Sequence, residues 1–339
     1  MATSDVPAIY RALRVEVDGE RVRRSVVELA SDALPDHPVT VRVAYSSLNF
    51  KDALSASGNR GVTRSYPHTP GIDAAGTVVS SRDPRFAPGD RVLCTGYDLG
   101  MGTPGGFGEL VRVPGDWLVP LPDGMDERLA MVLGTAGLTA AMGVELLQRV
   151  GAGPELGPYV VTGASGGVGT LAVALLTRVG YQVIASTGTE RARSLLARLG
   201  AIDILDRGVL GQASDRPMLK GVYGGGIDTV GGDTLAGLIK STAVGGAVAA
   251  CGMVGGTELN VSVFPFILRG VGLLGIDSQH YPHPRRVAMW RRLADEWRIE
   301  GLASVPGLVT EVGLEELEDA VEAILGGATV GRVLVRVAG

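Results

Sequence analysis

The stretch that most restricts the fold is YVVTGASGGVGTLAVALLTRVGYQVIAST, residues 159–187. An apolar run ends in a glycine-rich turn, and the turn opens straight into an apolar helix that stops at Gly180. The strand YQVIAST follows, then a second helix, TERARSLLARLG, that stops at Gly200. Glycine just past a helix end takes the left-handed conformation that closes it. Strand–helix–strand alternation calls for crossover connections and a parallel sheet. Further strands are expected at IDTVG, GAVAACG and VGLLGID. A doubly wound α/β layer is therefore predicted for this part of the chain.

The flanking sequence has another texture. YRALRVEV, VTVRVAYSSL, AAGTVVSS, DRVLCTG and GELVRVPG are short alternating or apolar segments punctuated by Gly, Pro and Asp, which reads as an all-β region. DERLAMVLGTAGLTAAMGVELL has helical periodicity with Asp126 as N-cap. Near the end the helix GLEELEDAVEAILGG precedes a β-like tail, VGRVLVRVAG. The simplest organisation is a β-rich domain made from residues 1–125 and 280–339, interrupted by a nucleotide-binding domain over residues 126–279.

In TGASGGVG, Gly166 and Gly169 hold the second and third glycine positions of G-x-G-x-x-G, with Ala164 at the first. Gly166 lets backbone approach a pyrophosphate, Gly169 lets the helix pack on the strand, and the helix N-terminus offers free N–H groups. Ser165, Gly167 and Val168 complete the cradle. About twenty residues on, an NAD site usually offers Asp or Glu to the ribose. Here the strand ends Ser186-Thr187-Gly188-Thr189-Glu190-Arg191. Hydroxyls and a guanidinium from Arg191 or Arg193 suit a 2′-phosphate, which selects NADP(H).

Other classes are excluded by composition. A formal net charge of −5 with 20% charged residues gives no support for nucleic-acid binding. No apolar run approaches a membrane span in the sequence, and the start lacks a signal peptide's apolar core. Cys94 and Cys251 are the two cysteines, too few for a disulfide framework or a four-cysteine zinc lobe. A soluble cytoplasmic protein is expected.

SLNFKDALSASGNRGVTRSYPHTPGIDAAGTVV, GTAGLTAAM, VTGASGGVG, IDTVGG, FILRGVGLLGIDS and the terminal GRVLV resemble the medium-chain dehydrogenase/reductase superfamily. Within it they are similar to the zinc-free, quinone oxidoreductase-like branch of the acrylyl-CoA reductase type. The resemblance spans nearly the whole chain. It implies a GroES-like β domain, a Rossmann domain, a homodimer, and reduction of an activated carbon–carbon double bond with NADPH. Zinc-dependent relatives carry a ligand Cys near position 49 and a His-Glu pair near PGID; Asn49, Gly71 and Asp73 stand here instead. His280 and His283 are separated by prolines and have no third ligand in sequence.

The substrate side is expected to use Asn49 as a hydrogen-bonding group. Asp52 either orients a water, a ribose hydroxyl or Arg332, or simply caps a short helix. Lys51 points to solvent or ribose. Relatives commonly carry Tyr where Phe50 stands, so no proton relay carries over to that side chain. Thr135, Cys251, Ile276 and Ser278 are expected around the nicotinamide, Cys251 without a nucleophile's role, and Arg332 on a cofactor phosphate or paired with Asp52. The predicted reaction is hydride transfer to the β-carbon of a small 2-enoyl-CoA. Quinone reduction is one rival, and a non-catalytic NADPH-binding sensor or structural protein is another.

Overall fold

The computed structural model describes residues 6–212 and 214–338. In chain order, β1 (Ile9–Asp18), β2 (Arg21–Ala30), β3 (Val39–Leu48), helix α1 (Phe50–Ala56), β4 (Asp73–Ser81), β5 (Arg91–Thr95), β6 (Leu110–Val113) and β7 (Val119–Pro120) come first. The long helix α2 (Glu127–Arg149) follows. Then come β8 (Tyr159–Val161), α3 (Gly167–Arg178), β9 (Val183–Thr187), α4 (Arg193–Arg198), β10 (Ala201–Asp206) and α5 (Arg207–Gly211). After these lie β11 (Tyr223–Asp228), α6 (Gly232–Lys240), β12 (Thr242–Ala250), α7 (Phe264–Arg269), β13 (Gly272–Gly275) and α8 (His283–Ala294). The last elements are β14 (Val309–Gly313), α9 (Leu317–Leu325) and β15 (Arg332–Arg336).

Two compact units divide the chain. One runs to Thr135 and takes in Gln279–Ala294 and the stretch from Val309; the other is Ala136–Ser278 with Asp295–Leu308. In the first, β1 and β2 form an antiparallel hairpin, and a seven-stranded sheet runs β14-β15-β3-β4-β5-β7 with β6 beside β3. Val39, Val41 and Val43 alternate inward along β3 and meet Val92, Val111, Leu317 and Val335 in one apolar core. In the second, a six-stranded sheet has the order β10-β9-β8-β11-β12-β13, with every neighbouring pair parallel. The GroES-like and Rossmann architectures expected from sequence are both present.

The division differs in two places from the one read off the sequence. Residues 126–135 stay with the β-rich unit because α2 is broken at Gly134 (φ 53°, ψ −155°), and the residues on either side bond into that unit. Residues 295–308 go with the parallel-sheet unit, where Arg178 donates to the Arg298 carbonyl (2.8 Å) and Arg198 to the Pro306 carbonyl (3.0 Å). Asp126 does cap α2, accepting from the Leu129 N–H at 2.7 Å, and Gly180 and Gly200 close their helices at φ 93° and 101°. By length and composition α2 could cross a membrane, contrary to the sequence expectation. Its most apolar window is 78% buried inside the protein, which makes it a core helix.

Candidate active site

In the parallel-sheet unit, the turn after β8 delivers α3 with no side chain capping its N-terminus. The first N–H groups of such a helix are left for a ligand. A Cβ on Gly169 would lie 2.7 Å from the Ala164 Cα and press on the Gly163 carbonyl, so only glycine lets the helix close on the turn. Gly166, by contrast, has room for a Cβ: its nearest neighbour would be the Gly163 carbonyl at 3.4 Å, an ordinary contact. Ser165, Gly166, Gly167 and Val168 form a half-buried rim. Ala164 does not join them. It is fully buried, and its N–H donates to the Ser186 carbonyl at 3.1 Å, tying the turn to the next strand.

Ser186 lies at the end of β9, next to its last residue, at 1% exposure, and its hydroxyl has no hydrogen-bond partner among the described residues. A buried hydroxyl left unpaired is unusual, and its position at the end of β9 leaves its donor available to a bound group. Of the two arginines expected nearby, Arg193 instead pairs with Glu190 at 2.6 Å, an i,i+3 contact on an exposed helical turn. Arg191 lies on that turn. The sequence reading missed Arg207. It opens α5 after β10, and a Cβ on Gly188 would come within 2.5 Å of its Nε and 2.8 Å of its Cδ. Its guanidinium therefore lies across the chain immediately past Ser186 and Thr187. The strand that delivers it, β10, has no fully buried residue and carries little periodic signal.

Along the same sheet edge, the Cys251 N–H donates to the Asp228 carbonyl at 2.9 Å. Burial, with the Asp228 charge second, pushes its thiol up to about 12. That suits no nucleophile, in line with the sequence reading. Ile276 donates its N–H to the Ala250 carbonyl at 3.0 Å. Ile276 and Ser278 are half-buried.

The β-rich unit brings Asn49, Asp52, Thr135 and Arg332 together, around a residue not singled out for this role: Asp73. Its carboxylate accepts from the Ser47 hydroxyl (2.6 Å), Asn49 Nδ2 (2.8 Å), the Thr135 N–H (3.0 Å) and the Thr135 hydroxyl (2.6 Å). The break at Gly134 frees the Thr135 N–H for this contact. A Cβ at Gly134 would sit 2.6 Å from Asp73 Oδ2, 2.7 Å from Ser47 Oγ and 3.0 Å from an Arg332 nitrogen.

This arrangement corrects one assignment, that of Asn49, and bears on the alternatives held for Asp52 and Arg332. Asn49 is not open to substrate: its amide donates to Asp73, to Asp52 Oδ2 (3.2 Å) and to the Ser47 carbonyl (3.3 Å), and its oxygen accepts from Arg332 at 3.3 Å. Asp52 is fully buried at the third position of α1, accepting from the N–H groups of Ile72 and of Asn49, the N-cap, each at 2.8 Å, which is the capping alternative in the form of a capping box. Burial, reinforced by the neighbouring Asp73 charge, pushes its carboxyl up to about 7. Arg332 is also buried. It donates to the Val132 carbonyl at 2.9 Å and reaches Asp52 through Asn49, while its Nη2 is buried with no partner among the described residues. Lys51 meets Gln279 Oε1 at 2.8 Å, and Phe50 is exposed.

Asn49 and Asp73, two of the three positions compared with zinc ligands, thus bond to each other. Among the described residues no group of three or more His, Cys, Asp or Glu is placed to hold a metal. His283 Nδ1 instead meets the Tyr97 hydroxyl at 3.1 Å.

Comparison with known proteins agrees with this geometry. Residues 35–123 match the Alcohol dehydrogenase GroES-like domain family and residues 167–295 the Zinc-binding dehydrogenase family. The acrylyl-CoA reductase AcuI of Ruegeria pomeroyi is 42% identical over 331 residues, covering 97% of this chain and 99% of that protein. The chain belongs to the medium-chain dehydrogenase/reductase superfamily, in its quinone oxidoreductase-like branch of the acrylyl-CoA reductase type. Two solved members superpose over nearly their full lengths. The yhdH oxidoreductase of Salmonella enterica, in complex with NADP, gives a TM-score of 0.93 at 45% identity, covering 97% of this chain and all of that one. The Bacillus subtilis protein yhfP, with NAD bound, gives 0.93 at 44% identity over the same shares. Fold and branch are therefore common ground, whereas the two relatives hold different coenzymes.

Proposed function

We propose that this chain is an NADPH-dependent ene reductase that reduces the activated double bond of a small 2-enoyl-CoA, of which acrylyl-CoA is the smallest. The observation that carries the coenzyme choice is the unpaired, buried Ser186 hydroxyl with Arg207 lying across the adjacent Gly188. A hydroxyl donor and a guanidinium complement a 2′-phosphate, and no carboxylate stands at the end of β9 to repel it. The uncapped start of α3, behind Gly166, Gly167 and Val168, would hold the pyrophosphate. NADPH, when bound, supplies the hydride.

The remaining work belongs to the chain's own residues. The Thr135 hydroxyl spends its proton on Asp73, so its oxygen faces any ligand as an acceptor. Asn49, Asp52 and Arg332 act one layer behind, fixing Asp73 and hence Thr135. Hydride addition at the β-carbon of an enoyl thioester leaves an enolate, whose α-carbon water can protonate. Phe50 has no proton to give, and this chemistry asks none of it. Position and oxyanion stabilisation carry the rate.

A second copy of the chain is the proposed partner. β13 is an edge strand of the parallel sheet. Beside it α7 and its flank expose Val263 (63%), Ile267 (68%) and Leu268 (60%). An unpaired edge next to apolar surface invites pairing across a twofold axis. We place the protein in the cytoplasm, where the free thiols Cys94 and Cys251 stay reduced.

A panel of acrylyl-CoA, longer enoyl-CoAs, quinones and enals, each with NADPH and NADH, tests the reading. Fastest turnover is expected with acrylyl-CoA and NADPH. Turnover confined to quinones would replace the substrate class, and tight NADPH binding with no turnover anywhere would make the protein a sensor.

A further inference from the structure

Asp228 ends β11 in the interior of the parallel sheet, at 0% exposure. No ion pair involves it among the described residues, and the proposed reaction leaves it without a role. Its Oδ1 accepts from the Thr162 hydroxyl at 2.7 Å. Its Oδ2 accepts from the N–H groups of Gly231 (2.7 Å) and Val230 (3.3 Å). Each of these partners is a donor. These donors favour the ionised form against burial, which raises the carboxyl above its ordinary value. Burying a lone charge is costly, and buried charges are ordinarily paired. The two oxygens meet different donors, which the single oxygen of an Asn could not match, so a carboxylate is specified here and its buried charge can act on a ligand.

Its place in the sheet suggests one. β8 and β11 are neighbours in the order β10-β9-β8-β11-β12-β13, so the strand order reverses between them. Ligands of doubly wound sheets bind beyond the strand ends at that reversal, one mononucleotide half on each side. Ser186 and Arg207 mark β9 and β10 as the adenosine side. The other half of the coenzyme must then lie over the ends of β11 and β12, where Asp228 and Cys251 meet. The nicotinamide ring is neutral when reduced and cationic once its hydride has left.

We propose that Asp228 is a buried counter-ion for the oxidised nicotinamide. The inference rests on the NADP(H) reading above. By favouring the cationic ring, the fixed carboxylate makes the bound coenzyme a stronger hydride donor and stabilises the charge that grows as the hydride departs. One unit charge acting on another at about 10 Å, with an effective dielectric near 20, corresponds to roughly tenfold in affinity.

Calorimetric titration of wild type and D228N with NADP+, NADPH and 2′-phospho-ADP-ribose, which has no nicotinamide, tests this. Loss of the charge is expected to weaken NADP+ about tenfold while the other two ligands change by less than about twofold. Equal changes for NADP+ and NADPH would overturn the counter-ion role and leave the coenzyme assignment intact. Failure of wild type to bind any of the three would overturn both. Asp228→Ser, neutral and small enough to admit a water to the Gly231 N–H, provides the same comparison if D228N does not fold.

Discussion

Replacing Gly134 by alanine should damage the Asp73 cluster directly, and the structure fixes the scale. Gly134 holds φ 53° and ψ −155°, a region open essentially to glycine alone, where a side chain costs about 1–3 kcal/mol. The added Cβ would also stand 2.6 Å from Asp73 Oδ2 and 2.7 Å from Ser47 Oγ. Both atoms belong to buried, fully engaged groups, so at least one hydrogen bond to the carboxylate must lengthen, worth about 1.5–3 kcal/mol. The sum is about 2.5–6 kcal/mol. For a unit of this size that lowers the melting temperature by roughly 5–24 °C. Gly151→Ala is the control: φ there is 75°, yet nothing lies within 4 Å of a Cβ. That variant bears only backbone strain, near 1 kcal/mol and a few degrees. Differential scanning calorimetry of both variants measures the comparison. Equal shifts for the two would refute the claim that Gly134 exists to let Asp73 reach Thr135.

Ser186→Asp should weaken NADPH by about a hundredfold or more, since a carboxylate about 4 Å from a phosphate charge costs roughly 4 kcal/mol at an effective dielectric of 20. NADH should hold or improve, and equal losses of both in fluorescence titration would remove the 2′-phosphate from this strand end. Arg207→Ala should raise the Kd for NADPH about tenfold or more, as loss of a charge-assisted pair implies, and leave NADH unchanged. Asp52 gives a pH signature. Its folded carboxyl is raised to about 7, so the native state holds that proton more tightly than the unfolded chain. The stability this adds is complete below the ordinary carboxylate range and is lost as pH rises through about 7. Urea unfolding of D52N should therefore show a fixed penalty from the altered cap, offset by a few kcal/mol between pH 5 and pH 8. A difference from wild type that stays constant with pH would contradict it.

The sequence announced the parallel sheet because its strands are apolar runs and its helices end at glycines, both local signals. It also announced the glycine turn, where Gly169 is required by contacts only a few residues away. What it hid depends on distant partners. Asn49 and Asp52 look like site residues in a motif, and nothing local says that Ile72, Asp73 and Arg332 will consume their hydrogen-bonding capacity. Arg207 was missed for a similar reason. It is brought to Gly188 by β10, an edge strand with no fully buried residue, whose alternation is weak. In α2, helical periodicity runs through GTAGL without pause, and only the pull of Asp73 on Thr135 shows why the helix breaks at Gly134.

The most direct test of the account follows the hydride itself. NADPH deuterated at the transferable C4 position, mixed with acrylyl-CoA and the enzyme in ordinary water, should give propionyl-CoA with one deuterium on the β-carbon and none on the α-carbon, as read by mass spectrometry and NMR. The same reaction with unlabelled NADPH in heavy water should place deuterium on the α-carbon alone. Label from the coenzyme at the α-carbon, or its absence from the product, would contradict the reaction proposed here.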